Sequence, residues 1–123
     1  MERELGHCRT CARPFTDRRA WRARDLSHEV KYCSDGCRRA KPRARDRQLE
    51  ERLLALLAEA SGARLPLAAL EERLGAREEG ERRRLMWAAT RLAVRGAVIL
   101  SQGGRAVDPG RARGPLMIQE SKG

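Results

Sequence analysis

Two close cysteine pairs, Cys8-x-x-Cys11 and Cys33-x-x-x-Cys37, lie within the first 37 residues, and 21 residues separate them. Two thiolate pairs joined by one loop complete a tetrahedral shell of the kind zinc takes in structural sites. Such a metal folds a segment too poor in apolar mass to fold alone. Four sulfurs close the shell and leave no position for a reacting water, so the Zn2+ expected on Cys8, Cys11, Cys33 and Cys37 is structural. A redox dithiol is the other chemistry these pairs allow.

The elements that must position these sulfurs are short. Cys8-Arg9-Thr10-Cys11 has the form of a knuckle, with Pro14 closing the turn region. Glu29 to Tyr32 reads as extended chain leading to Cys33, and Ser34-Asp35 reads as a helix start. Cys37 then falls on the first helical turn and Cys33 just before it, where the positive helix end favours thiolates. Arg38, Arg39 and Lys41 ride outside this helix, and Pro42 lies at or past its end. Knuckle, loop and ligand-bearing helix together outline a treble clef. His7 adjoins Cys8 and is poorly placed to reach the same metal, which makes it a surface residue. His28 lies in the loop, with a contact behind the ligands as its alternative role. Phe15, Trp21 and Tyr32 are the natural cover of the site, as a miniature core packed on the metal or as base-stacking groups.

Composition bounds the rest. The 123 residues carry a formal charge of +10 with 3% aromatic residues, enough chain for one ordinary domain or two very small ones. Residues 1–47 hold 14 Arg or Lys against 7 Asp or Glu, so the basic excess is concentrated at the amino end. Such a balance favours acidic partners, nucleic acid first among them. Arg far outnumbers Lys throughout, so a coding bias that writes Arg at generic polar positions is the competing explanation. The opening MERELGHC lacks the apolar core of a signal peptide, and the longest apolar stretch, Leu53 to Ala58, is far short of a membrane span. The expectation is no membrane association and a reducing, cytoplasmic setting, where clustered cysteines bind metal more readily than they form disulfides.

The expected organisation is a zinc-binding module over residues 1–40, a basic linker over 41–48, a second domain over 49–118 and a tail over 119–123. The run RRAKPRARDRQ over 38–48 is either a solvated link or an arm along a phosphate backbone. Beyond it, Leu49, Leu53, Leu56, Leu57 and Ala60 recur at helical spacing and predict a helix ending near Ser61-Gly62. Pro66 suits the first turn of a second helix with Leu67, Leu70 and Leu74 on one face and Gly75 as its stop. The third helix runs from about Glu79 to Arg95, with Leu85, Ala88, Ala89 and Leu92 inward and Gly96 ending it. Ala97 to Ser101 reads as a strand, Gln102-Gly103-Gly104 as a turn and Arg105 to Val107 as the returning strand. Asp108-Pro109-Gly110 breaks the pattern before a short final strand at Leu116 to Ile118.

Three helices followed by a two-stranded ribbon match a winged-helix plan. Opposite its Leu85/Leu92 stripe, the third helix gathers Arg83, Arg84, Trp87, Arg91 and Arg95, a cationic face of the kind a recognition helix presents to phosphates and base edges. Arg105 on the wing adds a contact to the adjacent backbone. Packing of Trp87 and Val94 under the wing or against the zinc module, with the arginines as a solvated rim, is the other explanation.

The segments CRTCARPFTDRRAW and HEVKYCSDGCRR resemble a short bacterial cysteine-rich family of uncharacterised function. In that family a C-x2-C-x-R-P-F opening leads through a tryptophan-bearing basic loop to E-V-K-Y-C-S-x-x-C-R-R. The matching residues here are Cys8, Cys11, Arg13, Pro14, Phe15, Trp21, Glu29, Val30, Lys31, Tyr32, Cys33, Ser34, Cys37, Arg38 and Arg39. The chain departs from the family at Asp17, where a further tryptophan is common, and in a longer loop. The Y-C-S-x-x-C segment is also similar to that of the small zinc-finger inhibitors of DNA gyrase, with an unrelated loop length. Residues 49–118 resemble a second uncharacterised bacterial family of winged-helix-like pattern, through LLALLAE, Gly96 to Leu100, QGGRAVDP and ARGPL. These resemblances imply a small zinc-bound treble-clef-like module followed by an α+β winged-helix-like domain of three helices and a β-hairpin wing.

The expected function is that of a non-enzymatic, zinc-containing nucleic-acid-binding or regulatory protein, contacting double-stranded DNA or structured RNA through the third helix and wing. The alternative is an adaptor docking onto an acidic protein partner, with Trp21 and Trp87 as anchors. An enzyme is disfavoured by the closed metal shell and by the lack of a phosphate-cradling glycine loop or a nucleophile–base pair. Ser101-Gln102-Gly103-Gly104 is accounted for by a turn between short strands, and Glu71-Glu72 and Glu78-Glu79 by solvated helix faces and helix starts.

Overall fold

The computed structural model describes residues 4–12, 14–16, 32–33, 35–107 and 115–121. Expectations that concern Arg13, Trp21, His28, Glu29 to Lys31, Ser34 and Asp108 to Gly110 lie outside the described residues.

The chain opens with a small antiparallel hairpin of β1 (Glu4–His7) and β2 (Pro14–Thr16), in which Gly6 faces Phe15 and His7 faces Pro14. Its connection is the knuckle, closed by the Ala12 amide donating to the Cys8 carbonyl at 2.9 Å. Ala12 sits at φ +65° with its methyl buried, a left-handed conformation that an L-residue adopts only where the surroundings impose it. The five-residue helix α1 (Asp35–Arg39) follows, with Cys33 just before it and Cys37 buried on it. Pro42 stands past its end, and His7 is exposed.

α2 (Ala44–Glu59) buries Asp46, Glu50, Leu53 and Leu57, a stripe spaced four, three and four residues apart. The helix begins inside the segment expected as linker. Its first two turns contain no large apolar residue before Leu49, so periodicity does not announce them. Polar contacts hold this start: the Asp46 carboxylate accepts from the Arg43 amide at 2.9 Å and from Arg84 across the fold. Ser61 (φ +53°) and Gly62 (φ +85°) turn the chain away after its last residue.

β3 (Leu65–Pro66) leads into α3 (Leu67–Arg73). Pro66 precedes the helix with ψ 139° instead of opening its first turn, and its extended backbone is used in the sheet. α4 (Glu79–Val94) ends at Gly96 (φ +80°), where the Ala97 amide donates back to Leu92 at 2.9 Å. β4 (Val98–Gln102) turns through Gly103 and Gly104, both at positive φ, into β5 (Arg105–Ala106). β6 (Met117–Glu120) closes the fold.

The sheet order is β3-β6-β4-β5. β4 takes most of its pairing from β6, with Val98 opposite Glu120 and Leu100 opposite Ile118, and only two residue pairs link β4 to β5. The last strand is therefore central, a non-local pairing that strand propensity alone does not reveal.

Leu53 and Leu57 of α2, Leu70 of α3, Leu85, Ala89 and Leu92 of α4, and Val98, Leu100 and Ile118 of the sheet form one buried core. Each fully buried leucine contributes about 1.5–3 kcal/mol of transfer free energy. Three helices backed by a small sheet, after a tetracysteine cluster, are consistent with a treble-clef and winged-helix-like arrangement. Among the described residues no helix is long and apolar enough to cross a membrane.

Candidate metal centre and its seat on the third helix

The knuckle and α1 bring all four sulfurs together. The Sγ atoms of Cys8, Cys11, Cys33 and Cys37 lie within 4.8 Å of one another, with Cys11–Cys33 and Cys33–Cys37 each at 3.5 Å. All four cysteines are free of disulfides. A tetrahedron of sulfurs around a metal at about 2.3 Å has edges of roughly 3.8 Å, so the spacing and the donor set fit a tetrathiolate metal ion. Cys8 and Cys37 are buried, while Cys11 and Cys33 are half-buried.

The surroundings of Cys8 favour its thiolate. The Cys8 thiol is lowered from 9.0 to about 4, first by a hydrogen bond from the Cys11 thiol and further by backbone donors at Cys11, Cys33 and Thr10, against the opposing effect of burial. A second contact fixes the two halves of the site to each other. Thr10 is fully buried, and its hydroxyl donates to the Cys37 carbonyl at 2.7 Å.

The knuckle is seated on α4. Thr90 Oγ1 lies 3.0 Å from the Cys11 carbonyl and 2.9 Å from the Trp87 carbonyl, sharing one proton between them. Arg91 Nη1 donates to the Thr10 carbonyl at 2.6 Å, and Arg91 Nε donates to Glu50 Oε2 at 3.3 Å. Glu50 also pairs with Arg95 through its other oxygen. One turn earlier in α2 and two turns earlier in α4, Arg84 Nη1 reaches both oxygens of Asp46, at 3.1 and 3.4 Å.

This arrangement divides the residues expected to form one cationic face. Arg83 is exposed and pairs with Glu79 one turn back, and Arg105 is exposed on β5. Arg84 and Trp87 are half-buried. Arg95 is exposed yet engaged with Glu50. Arg91 is a correction: it is only 9% exposed and points into the fold. The helical wheel placed it opposite the apolar stripe, but that side of α4 is covered by the knuckle and by the face of α2 that buries Asp46 and Glu50. Burial lowers the Arg91 pKa, while Asp46 and the Cys8 and Cys11 sulfurs oppose that fall.

Thr10, Asp46, Glu50 and Thr90 carry this seat and were missed by sequence reasoning. Asp46 and Glu50 had a signal, since they extend the Leu53/Leu57 stripe backwards at helical spacing. Two carboxylates on the apolar face of a helix require buried cations opposite them. Thr10 and Thr90 had none. The exposed cations concentrate elsewhere, at Arg9 of the knuckle, Arg38 and Arg39 of α1, and Lys41, Arg43, Arg45 and Arg47 at the start of α2.

No curated protein matches the chain. Residues 5–40 match a family described as an uncharacterized protein conserved in bacteria (DUF2256), so the tetracysteine segment is similar to that family and the helices and sheet that seat it lie beyond the match.

Proposed function

We propose that this chain is a non-enzymatic protein of a reducing cytoplasm, in which a structural zinc on Cys8, Cys11, Cys33 and Cys37 holds a basic module against a winged-helix-like scaffold. Its partner is nucleic acid, duplex DNA or structured RNA, bound chiefly through phosphates. The observation that carries this reading is the exposure of Arg9, Arg38, Arg39, Lys41, Arg43, Arg45 and Arg47 around the metal module and the start of α2. Arg83 and Arg105 extend the exposed cations onto α4 and β5. With Arg84, Arg91 and Arg95 committed to carboxylates of α2, the third helix is a supporting element here and base reading is a minor part of binding.

The test is a salt-stepped anisotropy titration with a duplex DNA and a hairpin RNA. Phosphate contacts give an affinity that falls linearly on logarithmic axes with salt, by close to one unit of slope per contact on duplex DNA. Changing Arg38, Arg39 and Lys41 together to Glu lowers affinity at least tenfold and flattens the slope. Affinity no greater than that of an unrelated protein of equal charge and size removes the proposal.

The covering of α4 supports a second reading, an adaptor that binds an acidic protein partner and no nucleic acid. Stoichiometric copurification of one protein, lost in the same triple variant while no nucleic acid binds, selects it.

A further inference from the structure

Arg91 combines three features, of which only its bond to the knuckle is explained by the seating already described. It is a buried cation. Its Nη1 is bound to the carbonyl of Thr10, which lies between the ligand pair Cys8 and Cys11. Its Nη2 is buried with no hydrogen-bond partner among the described residues. A guanidinium nitrogen left without an acceptor is costly unless negative charge lies close by.

Four thiolates around a divalent ion carry a net charge of −2, and burying that charge is costly too. We infer that Arg91 is the built-in counter-cation of the metal centre, a positioning residue that offsets the charge of the metal-bound thiolates while it holds the knuckle through Thr10. This inference rests on the metal reading above and adds a residue from the second domain to that site. Glu50 has a defined part in it. Two cations, Arg91 and Arg95, share this one carboxylate, so Glu50 alone does not neutralise them. Groups behind metal ligands orient them and tune the ion, and their loss typically costs about 10–100-fold in metal affinity.

The inference separates charge from seating. Thr90 seats the knuckle through Cys11 without carrying charge, whereas Arg91 does both. Full-length protein and the variants Arg91→Gln, Arg91→Lys and Thr90→Val are compared by competition for Zn2+ against a colorimetric chelator. Co2+ is loaded separately, and its absorption bands report a tetrathiolate shell. Circular dichroism confirms folding of each variant.

The expected result is a tetrathiolate Co2+ spectrum throughout, with Zn2+ affinity reduced at least tenfold in Arg91→Gln. Arg91→Lys and Thr90→Val stay within about threefold of the native chain, a bound set by that outer-shell range. Where Arg91→Gln does not fold, Arg91→Lys decides alone: retained affinity supports the role of charge, and a tenfold loss overturns it. Equal losses in Arg91→Gln and Thr90→Val also overturn it, because seating then accounts for both. A native chain that takes up neither Zn2+ nor Co2+ removes the metal reading itself and this inference with it. A native chain that binds both while Arg91→Gln binds equally well removes only the inference.

Discussion

Glu50 on α2 and Arg91 on α4 face each other inside the fold, Oε2 to Nε at 3.3 Å, with 8% and 10% of their side chains exposed. The pair lies where the tetracysteine module meets the helical core, so its integrity affects both.

Replacing Glu50 with Ala leaves Arg91 buried without its carboxylate, and stability falls by about 3–5 kcal/mol, the usual cost of breaking one partner of a buried pair. The double replacement Glu50→Leu with Arg91→Met removes both charges and recovers most of that loss. Urea denaturation of Glu50→Leu, of Arg91→Met and of the double variant gives the coupling directly. Additive losses in the double variant contradict the buried pairing.

Thr90→Val keeps the shape of the side chain and deletes its hydroxyl. It costs about 0.5–1.5 kcal/mol, the net value of one hydrogen bond. Hydrogen exchange localises the effect: amides of the knuckle, Cys8 to Ala12, lose protection, while those of β4 and β6 keep theirs.

Metal removal acts on the first module and largely spares the second. The core of Leu53, Leu57, Leu85, Leu92, Leu100 and Ile118 contains no ligand, so a strong chelator leaves α2 to β6 folded. Residues around the four sulfurs, with little apolar mass of their own, lose their order. Amide spectra before and after chelation show shifts confined to residues 4–40 and to the α4 positions beneath the knuckle. A single global unfolding on chelation contradicts this division.

The same substitution has opposite signs at Gly80 within α4 and at Gly96 just past its end. Gly96 holds φ +80° at the end of the helix, so Gly96→Ala costs about 1–2 kcal/mol in backbone strain although the space around it is open. Gly80 lies in the first turn at an ordinary helical φ, also in open space. There Gly80→Ala stabilises by about 0.4–1 kcal/mol through a less flexible unfolded chain. Thermal melts of both variants check the pair.

Where a signal is local, it was legible. The cysteine spacing located the four sulfurs, the Leu85/Leu92 periodicity located α4, and Gly96 and Gly103-Gly104 located its stop and the following turn. What escaped depends on distant partners. The first two turns of α2 are held by Arg84 and Arg91, and neither leaves an apolar trace in the sequence around Asp46. The same blindness made Arg91 look like part of an outer face. A helical wheel shows which side of a helix is polar, but not whether the buried carboxylates of a second helix and the carbonyls of a knuckle cover that side. The bond from Thr90 to Cys11 spans 79 residues, and no pattern in either segment anticipates it.

The central position of β6 has a consequence for the order in which the chain assembles during synthesis. β3 and β4 each pair with β6 and not with each other. Until residues 117–120 leave the ribosome, the three helices have no complete sheet to close their core, and Leu100 lacks its partner Ile118. All four cysteines emerge far earlier. The four sulfurs therefore become available before the sheet that closes the core behind their seat on α4.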